Sequence, residues 1–292
     1  MTSSSSARAR LSLLLSMLIW GSVGLFRRFI PLPSGLIAEI RAVGGLLFLL
    51  LIAFARKKRP SLPDIRRNLG PLILSGLFLG LNWILLFEAY NYTSVATATL
   101  CYYMAPMLVM LLSPVLYHER LSVRKLICLA ISLVGMAMVS GVFGARDADS
   151  LRGVLLGLAA AVFYAGVMLT GKRISGVSAM DRTIAQLGVS AVLLLPYTLL
   201  TEKLSAIVLT GPGVIMLLVV AVVHTGLAYA LYFGSMDRLP AQTVALMSYI
   251  DPVSAVLLFA LILREPISPL GAVGAALILG AVIVCELPER KH

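Results

Sequence analysis

The chain has 292 residues, of which 60% are apolar and only 13% are charged, and its formal net charge is +11. Charged residues make up about 25% of a typical soluble domain, so this composition excludes a soluble protein and predicts helices that lie in lipid. The three cysteines, Cys101, Cys128 and Cys285, lie in apolar runs without metal-ligand spacing, and we expect neither a metal nor another cofactor.

Apolar runs separated by charge clusters and by Pro or Gly predict an all-α polytopic membrane protein with ten transmembrane helices. A helix needs about 20 apolar residues to cross the hydrocarbon core, and in lipid only a helix satisfies the backbone polar groups of such segments. The first run follows Arg8 and Arg10, as in a secretory signal, but it continues to Arg27 without a small-residue cleavage site, so we expect an uncleaved helix. The predicted spans are 11–29, 35–55, 70–90, 94–117, 123–142, 152–171, 182–201, 212–234, 240–263 and 268–286.

The distribution of Lys and Arg predicts the orientation of these spans. With the N-terminus in the cytoplasm, 17 of the 24 basic residues fall in cytoplasmic segments and 6 in external ones, while Arg41 lies within a span. Because cytoplasmic loops carry the excess of Lys and Arg, we expect both termini to be cytoplasmic. The same bias explains the net charge as attraction to anionic headgroups, and without a basic-aromatic domain we expect no nucleic-acid partner.

The chain repeats itself at an offset of 146 residues. The aligned pairs include Gly80 with Gly226, Trp83 with Tyr229, Tyr103 with Tyr249, Pro106 with Pro252, and Glu119 with Glu265. Each repeat holds five spans, an odd number, so the second repeat enters the membrane from the opposite side. We therefore predict two inverted five-helix repeats, residues 1–146 and 147–292. Inverted repeats are typical of secondary transporters, whose substrate site lies near the midplane between the halves.

These motifs resemble those of a known superfamily. The run Leu-Ile-Trp-Gly-Ser stands at 18–22, and a Pro-(x)12-Glu spacing follows span four and recurs after span nine. The pattern resembles the drug/metabolite transporter superfamily, and within it the EamA-type bacterial exporters. The resemblance implies a two-lobed bundle in the bacterial inner membrane that exports small metabolites by alternating access. In length and in its Tyr-rich spans, this chain is most similar to the aromatic amino-acid exporter branch.

Two ionisable side chains are predicted near the middle of the membrane, where a charge costs at least about 2.5–3.5 kcal/mol. Asp251 precedes Pro252, which loosens the helix, and it either accepts a proton, binds a substrate ammonium or bonds a neighbouring helix. His224 either packs in the core or carries a coupling proton. Nearer the outer ends of the spans, we predict a structural pair of Arg41 with Glu88.

Aromatic rings form the other candidate set. Spans four and nine present Tyr103 and Tyr249 on repeat-related faces, each just before a proline. Such rings suit an apolar or aromatic substrate, with a few polar groups to orient it. The alternative is an interfacial belt, which we predict for Tyr90, Tyr92 and Tyr197. The predicted substrate-binding residues are Trp20, Asn82, Trp83, Thr99, Tyr103, His224, Tyr229, Gln242, Tyr249 and Asp251, and the predicted hinges are Pro106 and Pro252.

Two other classes of protein fit the sequence less well. An intramembrane enzyme needs clustered catalytic groups, and no Gly-x-Ser-x-Gly or His-Glu-x-x-His motif is present, nor a histidine near Ser22 in the sequence. A channel needs a non-helical, protein-lined filter, which no segment resembles. We predict a transporter whose partners are a small-molecule substrate and the bilayer. The alternatives are an uncoupled, channel-like facilitator and a drug or nucleotide-type exporter. We expect a monomer, with a dimer as the alternative.

Overall fold

The computed structural model describes residues 3–27, 29–57, 60–93, 98, 101–139, 151–202, 210–264 and 268–286, and all regular structure within them is helical. The first repeat contributes α1 (Ser3–Arg27), α2 (Ser34–Ala55), α3 (Leu62–Arg67), α4 (Leu69–Ala89), α5 (Ala105–Tyr117) and α6 (Val123–Val139). The second contributes α7 (Leu151–Arg173), α8 (Ala179–Thr201), α9 (Gly211–Ala221), α10 (Ala228–Met236), α11 (Ala241–Met247), α12 (Ile250–Leu263) and α13 (Pro269–Glu286).

Seven stretches of the described chain are long and apolar enough to cross a membrane. Five of them lie in the single helices α1, α2, α4, α7 and α8, and the other two are Gly211–Met236 and Ala241–Ile262. Helices α5 and α13 are apolar but shorter. The all-helical membrane class is thus confirmed. Each predicted span contains a helix, but the count of ten spans stays a prediction.

Predicted spans four and nine are interrupted at equivalent positions. A turn at residues 103–104 precedes Pro106, and a turn at residues 248–249 precedes Pro252. A proline has no amide hydrogen, and its ring clashes with the carbonyl four residues back, which explains why the helix does not run through either site. The two prolines aligned by the repeat therefore each follow a helix break, as the prediction of hinges at these positions requires. The hinge motion itself stays a prediction.

A third irregularity lies between α9 and α10, where Val222–Leu227 forms a π-helix. The Thr225 hydroxyl donates to the carbonyl of Val220, five residues back, at 3.0 Å. A π segment adds a residue to one helical turn and is frequent at functional sites. Here it sets the direction in which the buried side chains of His224 and Thr225 point.

Small residues bring the helices into close contact. Gly76 and Gly80 on α4 face α8, and a Cβ atom added at Gly80 would lie 2.8 Å from Leu193 Cδ2. Gly21 on α1 packs against the start of α12, where an added Cβ would clash with Ser254 Oγ. Small residues of this kind allow membrane helices to approach closely. Through Gly21, the first helix of the first repeat is locked against the broken helix of the second.

Candidate functional site

A cavity of about 330 Å³ is lined by residues from both repeats. Its walls come from α1, α2, α4, α7, α10 and α12 and from the two helix breaks. Eight of the lining side chains are aromatic: Trp20, Trp83, Phe87, Tyr90, Tyr102, Tyr103, Tyr164 and Tyr229. The volume is at the lower end of the range of about 300–1,000 Å³ for ligand pockets, so the cavity suits one small molecule with an apolar or aromatic part.

The rings of this wall hold one another in place. Tyr229 lies at its centre, with its ring centroid 4.8 Å from that of Trp20 and 6.0 Å from that of Trp83. On the opposite side, Tyr102 stacks on Tyr164 at 5.0 Å and an interplanar angle of 17°. Tilted and offset-stacked rings are the arrangements that aromatic pairs prefer. The aromatic wall is therefore a set of rings packed on one another.

Asp251 lines the cavity at the first turn of α12. The Tyr103 hydroxyl donates to Asp251 Oδ2 at 2.8 Å, and the Tyr249 hydroxyl donates to the main-chain carbonyl of Tyr103 at 3.1 Å. These bonds connect the two helix breaks to each other and to the acid. Asp251 is therefore held at a fixed place on the cavity wall.

Arg41, on α2, lines the same cavity. Its guanidinium carbon lies 4.9 Å from the centre of the Trp83 ring, and its Nε donates to Thr225 Oγ1 at 3.1 Å. The predicted pair of Arg41 with Glu88 is wrong, because Glu88 instead accepts hydrogen bonds from Asn91 at 3.2 Å and Tyr197 at 3.5 Å. Arg41 thus lines the cavity while contacting Trp83 on α4 and Thr225 in the π segment.

His224 lies outside the cavity lining. Its Nε2 is 2.9 Å from Ser22 Oγ, its Nδ1 is 3.4 Å from the Val219 carbonyl, and its ring packs on Phe26. The fold thus brings together a serine and a histidine that are 202 residues apart in sequence. Within the described residues no carboxylate contacts this histidine, so the pair lacks the third group that would orient it as a catalytic base. The two roles predicted for His224, packing and proton coupling, both stay predictions.

The structure brings five of the predicted binding residues together at the cavity: Trp20, Trp83, Tyr103, Tyr229 and Asp251. Others lie elsewhere. Asn82 donates to the Ala160 carbonyl at 2.8 Å, between α4 and α7, and Tyr249 is completely buried. Gln242 donates to Ser113 Oγ at 2.8 Å at the other end of span nine. Thr99 is outside the described residues.

Sequence reasoning missed several lining residues, among them Arg41, Tyr102, Tyr164 and Ser248. It also assigned Tyr90 to an interfacial belt, whereas Tyr90 lines the cavity. A charge inside a span was a usable signal for Arg41. The alignment of Tyr164 with Trp20 near an offset of 144 was a signal for Tyr164, since both side chains prove to line the cavity. Tyr102 and Ser248 had no signal, because their positions on the cavity wall follow from the turns at the helix breaks.

Comparison with known proteins decides the family. Residues 8–141 and 151–286 each match the EamA-like transporter family. This chain belongs to the EamA-like transporter family. The two matched segments fit the two repeats, and the predicted boundary at 146 lies outside the described residues. The protein is thus a multi-pass membrane transporter of the drug/metabolite transporter superfamily.

Individual relatives match this chain over most of their length. The chain is 30% identical over 259 residues to "Uncharacterized transporter YxxF" of Bacillus subtilis, covering 88% of this chain and 82% of that protein. It is 25% identical over 272 residues to "Protein PecM" of Dickeya dadantii, covering 92% and 89%. A solved crystal structure matches 100% of both chains with a TM-score of 0.86 at 21% identity, which shows a shared fold.

Proposed function

We propose that this EamA-like transporter is a secondary transporter that exports small metabolites, amino acids with aromatic side chains among them, by alternating access. The observation that carries the proposal is the aromatic cavity at the two repeat-related helix breaks. Transporter sites are typically built from discontinuous helices near the midplane, at the interface of the repeats. The rings supply an apolar surface for a substrate side chain, and Asp251 and Arg41 supply charge.

A polar network closes the bundle at the end away from Tyr90. Glu119, which follows α5, accepts hydrogen bonds from the main-chain amides of Ala241 at 2.7 Å and Gln242 at 3.2 Å. Lys172, at the end of α7, lies 3.4 Å from the same carboxylate. Because this network ties the first repeat to the second, an opening at that end requires it to break. The arrangement supports a carrier with a closed gate rather than a continuous pore.

The predicted orientation places that closed gate in the cytoplasm and the Tyr90 end of the cavity outside the cell. Both termini would then be cytoplasmic, in a bacterial inner membrane. Cysteine scanning tests this in a background without the three native cysteines. With Pro60→Cys, a membrane-impermeant thiol reagent should label the protein only after the cells are permeabilised. Labelling of intact cells would reverse the orientation and, with it, the direction assigned to the gate.

Counterflow tests the transport proposal. Liposomes that contain the purified protein and unlabelled phenylalanine should take up labelled phenylalanine at a saturable rate, whereas protein-free liposomes should not. An ohmic current without saturable counterflow would favour the channel-like facilitator. Counterflow with nucleotides or cationic drugs, but with no amino acid, would replace the proposed substrate class while leaving a carrier.

A further inference from the structure

The cavity holds two side chains of opposite charge that do not pair with each other. Arg41 and Asp251 both line it. In the described part of the chain, Arg41 bonds Thr225 and stacks on Trp83, and Asp251 accepts from Tyr103, while no ion pair joins the two charges. A charge at hydrocarbon depth is costly unless something compensates it. The cavity therefore presents two separate sites for compensating charges.

The Arg41 guanidinium is oriented so that its far end is available. Its Nε is engaged by Thr225 at 3.1 Å and its face by Trp83 at 4.9 Å. Thr225 can accept this bond because its own hydroxyl hydrogen is donated to the carbonyl of Val220 in α9. Among the described residues, neither Nη group of Arg41 has a protein acceptor. Two parallel N–H groups held in a plane bind a carboxylate with both oxygens.

The Asp251 carboxylate also has one free side. Oδ2 accepts from the Tyr103 hydroxyl at 2.8 Å, and no described residue donates to Oδ1. A carboxylate oxygen that faces a cavity is an acceptor for an ammonium group, and the resulting bond between charged groups is stronger than a neutral one. Asp251 thus provides the complement of Arg41.

From this geometry we propose that Arg41 and Asp251 are the two poles of a zwitterion site: Arg41 binds the carboxylate of an α-amino acid, Asp251 binds its ammonium, and the aromatic wall holds its side chain. The proposal rests on the proposed function and narrows its substrate class. A simple amine leaves Arg41 without an anion, and a simple acid leaves Asp251 without a cation. A buried charge that is left unpaired costs free energy, and through this cost such sites reject near-analogues.

Competition in the wild-type protein tests the proposal directly. Counterflow of labelled phenylalanine is measured against three ligands with the same ring: phenylalanine, phenethylamine, which lacks the carboxylate, and 3-phenylpropanoate, which lacks the ammonium. Both half-ligands should inhibit about tenfold to a hundredfold more weakly than phenylalanine, because each loses hydrogen bonds between charged groups. Equal inhibition by all three would overturn the zwitterion site.

Two variants assign the poles. Arg41→Gln should raise the half-inhibiting concentration of phenylalanine but not that of phenethylamine, which lacks the carboxylate that Arg41 binds. Asp251→Asn should likewise raise that of phenylalanine but not that of 3-phenylpropanoate, which lacks the ammonium. Glu88→Gln, which removes a carboxylate that does not line the cavity, should change none of them. If Arg41→Gln weakens phenylalanine and phenethylamine equally, Arg41 has a structural role and the proposal fails.

The same assay separates this proposal from the proposed function. Absence of counterflow with every amino acid would contradict both the zwitterion site and the proposed amino-acid substrate class, although counterflow with another metabolite would still show a carrier. Normal phenylalanine counterflow with no discrimination against the half-ligands would remove the zwitterion site alone. If a variant does not fold, as judged by its elution in detergent, the wild-type competition series still decides.

Discussion

At the helix break of the first repeat, Tyr103 lines the cavity, whereas at the equivalent break of the second repeat Tyr249 is completely buried. An acidic side chain, by contrast, is present only at the second break. Asp251 stands immediately before Pro252, and its counterpart before Pro106 is Ala105. The two breaks thus share a turn and a proline but differ in the side chains that surround them.

The features that the two breaks share and those in which they differ have separate roles. The repeated prolines explain why both helices are interrupted at one level, since each removes a backbone donor. The side chains that differ between the breaks make different hydrogen bonds. The Tyr103 hydroxyl donates to Asp251, whereas the Tyr249 hydroxyl donates to the main-chain carbonyl of Tyr103. We infer that the repeat supplies the broken helices and that its departures from symmetry supply the charge that a substrate meets.

Truncating the two tyrosines should give the largest difference between the breaks, in stability for Tyr249 and in transport for Tyr103. Tyr249→Ala empties a fully buried site and should lower the free energy of unfolding by about 3–5 kcal/mol, seen as a lower melting temperature in detergent. Tyr103→Ala should destabilise less, but it should weaken counterflow of tryptophan more than that of alanine, because ring contact is lost. Phe54→Ala, at a side chain that is 84% exposed, is the control for both. A stable Tyr249→Ala variant with selectively weakened tryptophan transport would place Tyr249 at the substrate.

Replacing the prolines tests whether the two breaks act as equivalent hinges. Pro106→Ala and Pro252→Ala each restore an amide that can bond the carbonyl four residues back. One net hydrogen bond is worth about 1 kcal/mol, or about fivefold in an equilibrium between two conformations. We expect each variant to slow counterflow about fivefold with little change in the half-saturating concentration.

Pro196→Ala provides the matched control, because Pro196 lies inside the uninterrupted helix α8. It should leave the rate of counterflow unchanged. If only one of the two break prolines slows transport, the breaks are not equivalent hinges, and the motion belongs to one repeat alone.

The sequence predicted the all-helical membrane class and the prolines that follow the two helix breaks, because these follow from hydropathy and from the aligned positions at an offset of 146. It predicted the cavity less completely. A period of 3.6 residues predicts which side chains share a helix face only where the helix is regular. The π segment changes the direction in which the Thr225 side chain points, and Thr225 in turn orients Arg41. The placement of Gln242 depended on a long-range partner, Ser113, which no local pattern predicts.

The smallest effect should come from ion gradients. Asp251 has no acidic counterpart in the first repeat, and the zwitterion site engages its carboxylate with the substrate ammonium, so no proton is needed to neutralise it. A zwitterion carries no net charge. Its distribution across the membrane should therefore follow its own concentration gradient, and a protonophore should leave the wild-type rate of phenylalanine flux unchanged.

An imposed membrane potential makes this test sharper than the protonophore alone. One elementary charge moved across 100 mV is worth about 2.3 kcal/mol, which would change the accumulation ratio about fiftyfold if a proton travelled with each substrate. We expect no accumulation in liposomes with a potassium diffusion potential, in either direction. Accumulation of that size would show coupling, and the comparison of Asp251→Asn with His224→Ala would then identify the group that carries the proton. Loss of accumulation in Asp251→Asn with exchange intact would assign the proton to the acid that distinguishes the second break from the first.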